Sequence, residues 1–86
     1  MLKLQYAPAF FKQLKKLNPT LQELVVERVG LFKDRKNHRL LEVHKLKGAM
    51  RGRMAFSVDF HHRVVFIWLS SDEAALLAVG DHTIHQ

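Results

Sequence analysis

The chain divides by the period of its apolar residues. Leu2, Leu4 and Tyr6 alternate with Lys3 and Gln5, which fits a short first strand within Met1 to Tyr6. Pro8 then stands where a helix can begin, because its fixed φ and missing N–H cost nothing at the first helical position. Phe10, Phe11, Leu14 and Leu17 recur at three- and four-residue spacing among Lys12, Gln13, Lys15 and Lys16, the signature of an amphipathic helix. Asn18-Pro19 ends that helix and starts another, with Asn18 as N-cap and Pro19 as first residue. The second helix sets Leu21, Leu24, Val25 and Phe32 on its apolar side, flanked by Val29 or Leu31, while Glu23, Glu27, Arg28 and Lys33 mark its wet side. It runs out into KDRKNHR, read as the helix end plus a loop.

Beyond the loop the period falls to about two. Leu46 lies in a short extended piece, and Gly48 and Gly52 bracket a turn. Met54, Phe56 and Val58 alternate with Arg53, Ala55, Ser57 and Asp59, a half-buried strand. Phe60 to His62 form the next turn. Val64 to Leu69 is a continuous apolar run, as expected of a central strand covered on both faces. Ser70 to Glu73 is a hairpin loop and Ala74 to Val79 the last strand. The fold class is α+β, in the order β-α-α-β-β-β: a helix hairpin packed on one face of a small, mostly antiparallel sheet. Without repeat, linker or low-complexity tract, residues 1–86 read as a single domain.

Composition narrows the function. The 48% hydrophobic and 26% charged residues are ordinary for a globular protein. Without cysteine there is no disulfide framework and no thiolate metal site, which fits a reducing cytoplasm. The opening shows no secretory pattern, and Val64 to Leu69 is too short to cross a bilayer, so no membrane association is expected. A net charge of +6 and a pI near 10.1 suggest a polyanionic partner, with nucleic acid or ribosome ahead of an acidic protein. The cations gather in HKLKGAMRGRMAFSVDFHHR, His44 to Arg63, which holds Lys45, Lys47, Arg51, Arg53 and Arg63 and is answered by GDHTIH at Gly80 to His85.

The order of elements, the opening LKLQYAPAFFKQLKKL, the HKLKG at 44–48, the HHRVVF at 62–67 and the closing LLAVGDHTIH at 76–85 together resemble the RelE/ParE superfamily. These are the toxins of bacterial type II toxin–antitoxin systems, and the resemblance implies the RelE-like microbial RNase fold. In that family the RelE, YoeB and YafQ types cut messenger RNA in the ribosomal A site, whereas ParE types inhibit DNA gyrase and lack the nuclease residues. The segment 44–63 is similar to the YoeB pattern, with Arg63 on the catalytic arginine, Lys47 on a lysine position and His44 on that of a catalytic glutamate. In the YafQ pattern the position of His44 is itself a catalytic histidine, and His82 matches the histidine after the last strand in both. Two positions depart: Ser57 replaces a second arginine or a histidine, and His85 stands where a base-stacking tyrosine or phenylalanine is usual.

The resemblance implies metal-free RNA cleavage with no cofactor. Such cleavage needs a base for the 2′-hydroxyl proton, an acid for the leaving 5′-oxygen and a cation for the phosphorane. Histidine serves both proton transfers near neutrality, and the arginine fork matches phosphate oxygens. The residues so assigned are His44 as base, His82 as acid and Arg63 as stabiliser, with His85 as a second acid or stacking platform. Which histidine is acid and which base stays open. Lys45, Lys47, Arg51 and Arg53 would hold RNA and ribosomal RNA. The implied partners are the ribosome with its mRNA and a cognate antitoxin, in a hetero-oligomer, whose acidic, partly disordered segment would cover the basic site. The alternatives are a ParE-type gyrase inhibitor without catalysis, or a degenerate RNA-binding homologue. The remaining residues read as structural: His38, His61 and His62 at surface or turn positions, Trp68, Phe10 and Phe11 in the core, Met50 and Met54 as core or rim.

Overall fold

The computed structural model describes residues 1–48 and 52–81. Five strands, β1 (Lys3–Tyr6), β2 (His44–Lys45), β3 (Met54–Ser57), β4 (His62–Ser70) and β5 (Glu73–Asp81), form one sheet in the order β1-β5-β4-β3-β2. Helices α1 (Pro8–Lys15) and α2 (Pro19–Phe32) follow β1. Among the described residues only the β1–β5 pair is parallel. This is the α+β arrangement expected, with a two-residue edge strand added at His44–Lys45.

Local chemistry sets the helix ends. Pro8 and Pro19 occupy first-turn positions, and the Asn18 side chain accepts the Leu21 amide at 2.8 Å. At the other end of α2, Asn37 Nδ2 donates to the Leu31 carbonyl at 2.9 Å and His38 Nε2 to the Phe32 carbonyl at 2.7 Å. Those are carbonyls a helix leaves unsatisfied at its C-terminus. The polar run after α2 is therefore a cap; it includes a 3-10 turn at Arg35–Asn37.

The core lies between the helices and one face of the sheet. Phe10 from α1 and Val25, Val29 and Phe32 from α2 meet Phe56, Val58, Val64, Phe66, Ala74, Leu76 and Val79. Phe32 is at its centre, stacked on His38 (ring centroids 4.7 Å apart) and on Phe56 (4.5 Å). A register shift lets β5 serve this face along its length. Val65 pairs with Ala78 and Phe66 with Leu76, so Leu77 is the extra residue of a bulge and both Leu76 and Val79 reach the core. Past the end of β1, Gln13 of α1 accepts the Val79 amide at 2.9 Å, using a polar residue of the helix to cover the sheet's open edge.

Several expectations change in detail. Ala55 is as fully buried as Phe56, so β3 is covered on both faces rather than half-buried. In β4 the doubly covered part stops at Phe66, and Leu69 is half-exposed. Phe11 is 47% exposed and is not core, because it lies on the outer side of α1. His62 belongs to β4 instead of the turn.

Candidate functional site

Side chains alternate across a strand, so the pairing register decides what meets on the face turned away from the helices. Phe56, Val64 and Val79 face the core. Their neighbours Ser57, Arg63 and Gly80 therefore form a cross-strand row on the opposite face. The adjoining row is His44, Ala55, Val65 and Ala78. A cleft of about 390 Å³ on this side is lined by Glu42, Val43, His44, Ser57 and Arg63, while Ala55, Val65 and Ala78 of the adjoining row are fully buried.

The strand pairings thus bring His44 and Arg63 together from opposite sides of β3. Ser57 stands opposite Arg63 across the β3–β4 pair. Lys45 follows His44 in β2 and so takes the opposite direction, pairing with Met54 of the core face. Arg53, just before β3, has the parity of Ala55, and its carbonyl accepts the Leu46 amide at 2.9 Å. Lys47 is exposed beside Gly48, whose φ of 70° and that of Gly52, 84°, are the left-handed values glycine takes without strain. Arg51, Met50, His82 and His85 lie outside the described residues. Among the described residues, no group of three or more His, Asp or Glu side chains is placed to hold a metal ion.

Glu42 is the residue that sequence reasoning missed. It is non-glycine yet has φ 58°, a left-handed conformation costing about 1–2 kcal/mol in an L-residue. In that conformation its carbonyl oxygen lies 2.7 Å from His44 Nδ1. A carbonyl can only accept, so Nδ1 carries the proton and, in the neutral ring, Nε2 keeps its lone pair. The Glu42 carboxylate accepts from Ser57 Oγ at 2.9 Å, and the Ser57 amide donates to the Leu41 carbonyl at 2.8 Å. The positive φ closes a local turn, in which the Glu42 amide donates to the Arg39 carbonyl at 3.1 Å and the Val43 amide to the His38 carbonyl at 3.0 Å, the pairing that ends a helix in a left-handed residue.

The turn beyond the cleft is held by Asp59. Its Oδ1 accepts from the His61 amide at 2.9 Å, the His62 amide at 2.7 Å and His62 Nδ1 at 2.9 Å. Arg28 of α2 reaches the same end, donating from Nε to the Val58 carbonyl at 3.2 Å. His38, by contrast, is spent on the Phe32 stack, and Trp68 carries the Arg35 guanidinium 4.6 Å above its ring.

No family model and no curated protein matches the sequence. Solved structures do match over nearly the whole chain. The RelBE2 toxin–antitoxin complex of Mycobacterium tuberculosis aligns with a TM-score of 0.73 at 18% identity, covering 94% of this chain and 98% of that one. The fold is that of the RelE-like toxins. A conserved hypothetical protein of Helicobacter pylori aligns at 0.71 and 23% identity, over 96% and 97% of the two chains. YafQ of Escherichia coli aligns at 0.67 and 11% identity, over 95% and 94%. At these identities the likeness is one of fold.

Proposed function

We propose that this protein is the toxin of a type II toxin–antitoxin system and a ribosome-dependent endoribonuclease that cuts mRNA in the A site. The observation that carries this reading is the convergence of His44, with Nε2 left basic, and Arg63 on one open cleft of a RelE-like fold. An open cleft suits a nuclease whose substrate strand is held in place by the ribosome.

In this mechanism His44 Nε2 takes the proton of the 2′-hydroxyl as O2′ attacks the adjacent phosphorus. The O2′–P bond forms and the P–O5′ bond breaks, giving a 2′,3′-cyclic phosphate. The departing 5′-oxygen takes a proton from the acid, a role assigned to His82, with His85 as second acid or stacking group. Arg63 neutralises charge on the phosphorane through paired hydrogen bonds. Arg53, Lys47 and Arg51 hold the RNA backbone, and Lys45 serves it from the rim of the edge strand. All of this chemistry is done by the protein's own side chains.

The partner that restrains the toxin is an antitoxin; the neighbours include the RelBE2 complex and the YoeB–YefM complex of Staphylococcus aureus. Besides the basic cleft, it has an apolar furrow of about 460 Å³ to cover, lined by Tyr6, Phe10, Phe11, Leu14 and Val26 with Lys33 at its edge. An acidic amphipathic segment suits both surfaces. Among the described residues no helix is long and apolar enough to cross a membrane.

Induced expression in bacteria tests the reading. The wild-type chain should arrest growth and Arg63→Ala should not, with circular dichroism confirming that the variant is folded. A gyrase inhibitor would survive the substitution, so arrest by folded Arg63→Ala would refute the nuclease reading.

A further inference from the structure

The geometry points to Glu42 and Ser57 as a clamp that fixes the tautomer of His44. This deepens the nuclease reading, on which its functional consequence rests, but the clamp itself is a property of the free protein. Three contacts make it. Glu42 turns its carbonyl onto His44 Nδ1 at 2.7 Å, which its left-handed backbone permits. The Glu42 side chain takes the Ser57 hydroxyl at 2.9 Å across fifteen residues of sequence. Ser57 is itself fixed by its place in β3 opposite Arg63 and by its amide bond to Leu41.

Each part has a distinct effect on the proton. The carbonyl selects Nδ1–H, so the nitrogen left to accept a proton is Nε2. Backbone bonds from the Glu42 amide to the Arg39 carbonyl and from the Val43 amide to the His38 carbonyl set residue 42 in its left-handed turn, and the carboxylate ties that turn to Ser57. Ser57 transmits the rigidity of the sheet to that loop. Ser57 is therefore a positioning residue, and the serine that departs from the usual arginine or histidine has a use here. Loss of the clamp leaves His44 in both tautomers and lowers the fraction of enzyme with a base at Nε2, without removing a group that touches RNA.

The test is nitrogen-15 NMR of histidine-labelled free protein, held above the pH at which the rings are protonated. The wild type should show His44 as the Nδ1–H tautomer. Glu42→Val, whose β-branch disfavours positive φ, and Ser57→Ala should both show a mixture, while Glu42→Gln, which can still accept from Ser57, should retain the wild-type pattern. In cleavage assays Glu42→Val and Ser57→Ala should lower kcat by up to about a hundredfold with KM little changed, less than loss of the base itself. A wild-type His44 protonated at Nε2, or a tautomer unmoved in both variants, would overturn the clamp. A fixed tautomer in a protein that cuts no RNA would uphold the clamp and sink the nuclease reading instead.

Discussion

Asp59 Oδ1 lies 2.9 Å from His62 Nδ1, one residue before Arg63, and the same oxygen accepts the amides of His61 and His62. The β3–β4 turn is thereby tied to the strand that carries the arginine. Burial by itself pushes the Asp59 carboxyl up; the hydrogen bonds from His62 and His61, with the charge of His62, outweigh it and hold the carboxyl below its ordinary value.

A lowered folded pKa means stability that is present above the unfolded value and lost as pH falls through the folded one. Asp59→Ala should cost about 1 kcal/mol in urea unfolding at pH 7, because the site is partly exposed and the amides can turn to water. The gap between wild type and variant should narrow as pH falls below the ordinary carboxylate range and through the lowered value of the folded state, where the carboxyl takes up its proton. A gap that persists at pH 2 would show that the carboxylate contributes nothing by its charge.

Phe32 joins α2 to the sheet through Phe56 and Phe66, and to its own cap through His38. Phe32→Ala should destabilise the fold by about 3–5 kcal/mol, the usual cost of a large buried aromatic. For a domain whose total stability is of the order of 5–15 kcal/mol, thermal unfolding should begin tens of degrees lower or have no folded baseline. A midpoint within a few degrees of wild type would show that the core is organised elsewhere.

Much of this fold was legible in the chain. Proline positions and an asparagine cap announce the helices because capping is a local affair, decided within three residues. The strands are legible because apolar side chains must alternate to reach one core. Three things were not. Strand β1 pairs with β5 in parallel across nearly the whole sequence, and no local pattern encodes a neighbour that distant. Ala55 has the parity of the face turned away from the helices, so period-two reading makes it a surface position, yet it is fully buried. At the site, the types of His44 and Arg63 draw attention by chemistry, whereas Glu42 works through its carbonyl and backbone angle, which residue type does not reveal.

Sheet parity divides the cations. Arg53 has the parity of the cleft face and Lys45 that of the helix face. In binding titrations with single-stranded RNA, Arg53→Ala should weaken affinity and reduce the slope of log K against log salt by about 0.7, the value for one lost phosphate contact. Lys45→Ala should change the slope by less. Equal effects of the two substitutions would mean that the RNA crosses the β2 edge instead of following the cleft.

The central claim is cleavage of message by His44 and Arg63 on the ribosome. The most direct measurement is a reconstituted translation reaction with purified protein, its mRNA ends mapped by primer extension, comparing wild type, His44→Ala and Arg63→Ala with and without ribosomes. The account predicts cuts within A-site codons that require ribosomes and fall by about 10²–10⁴-fold in His44→Ala, with a comparable loss in Arg63→Ala. Intact message with the wild-type protein, or cuts that persist in both folded variants, would contradict it.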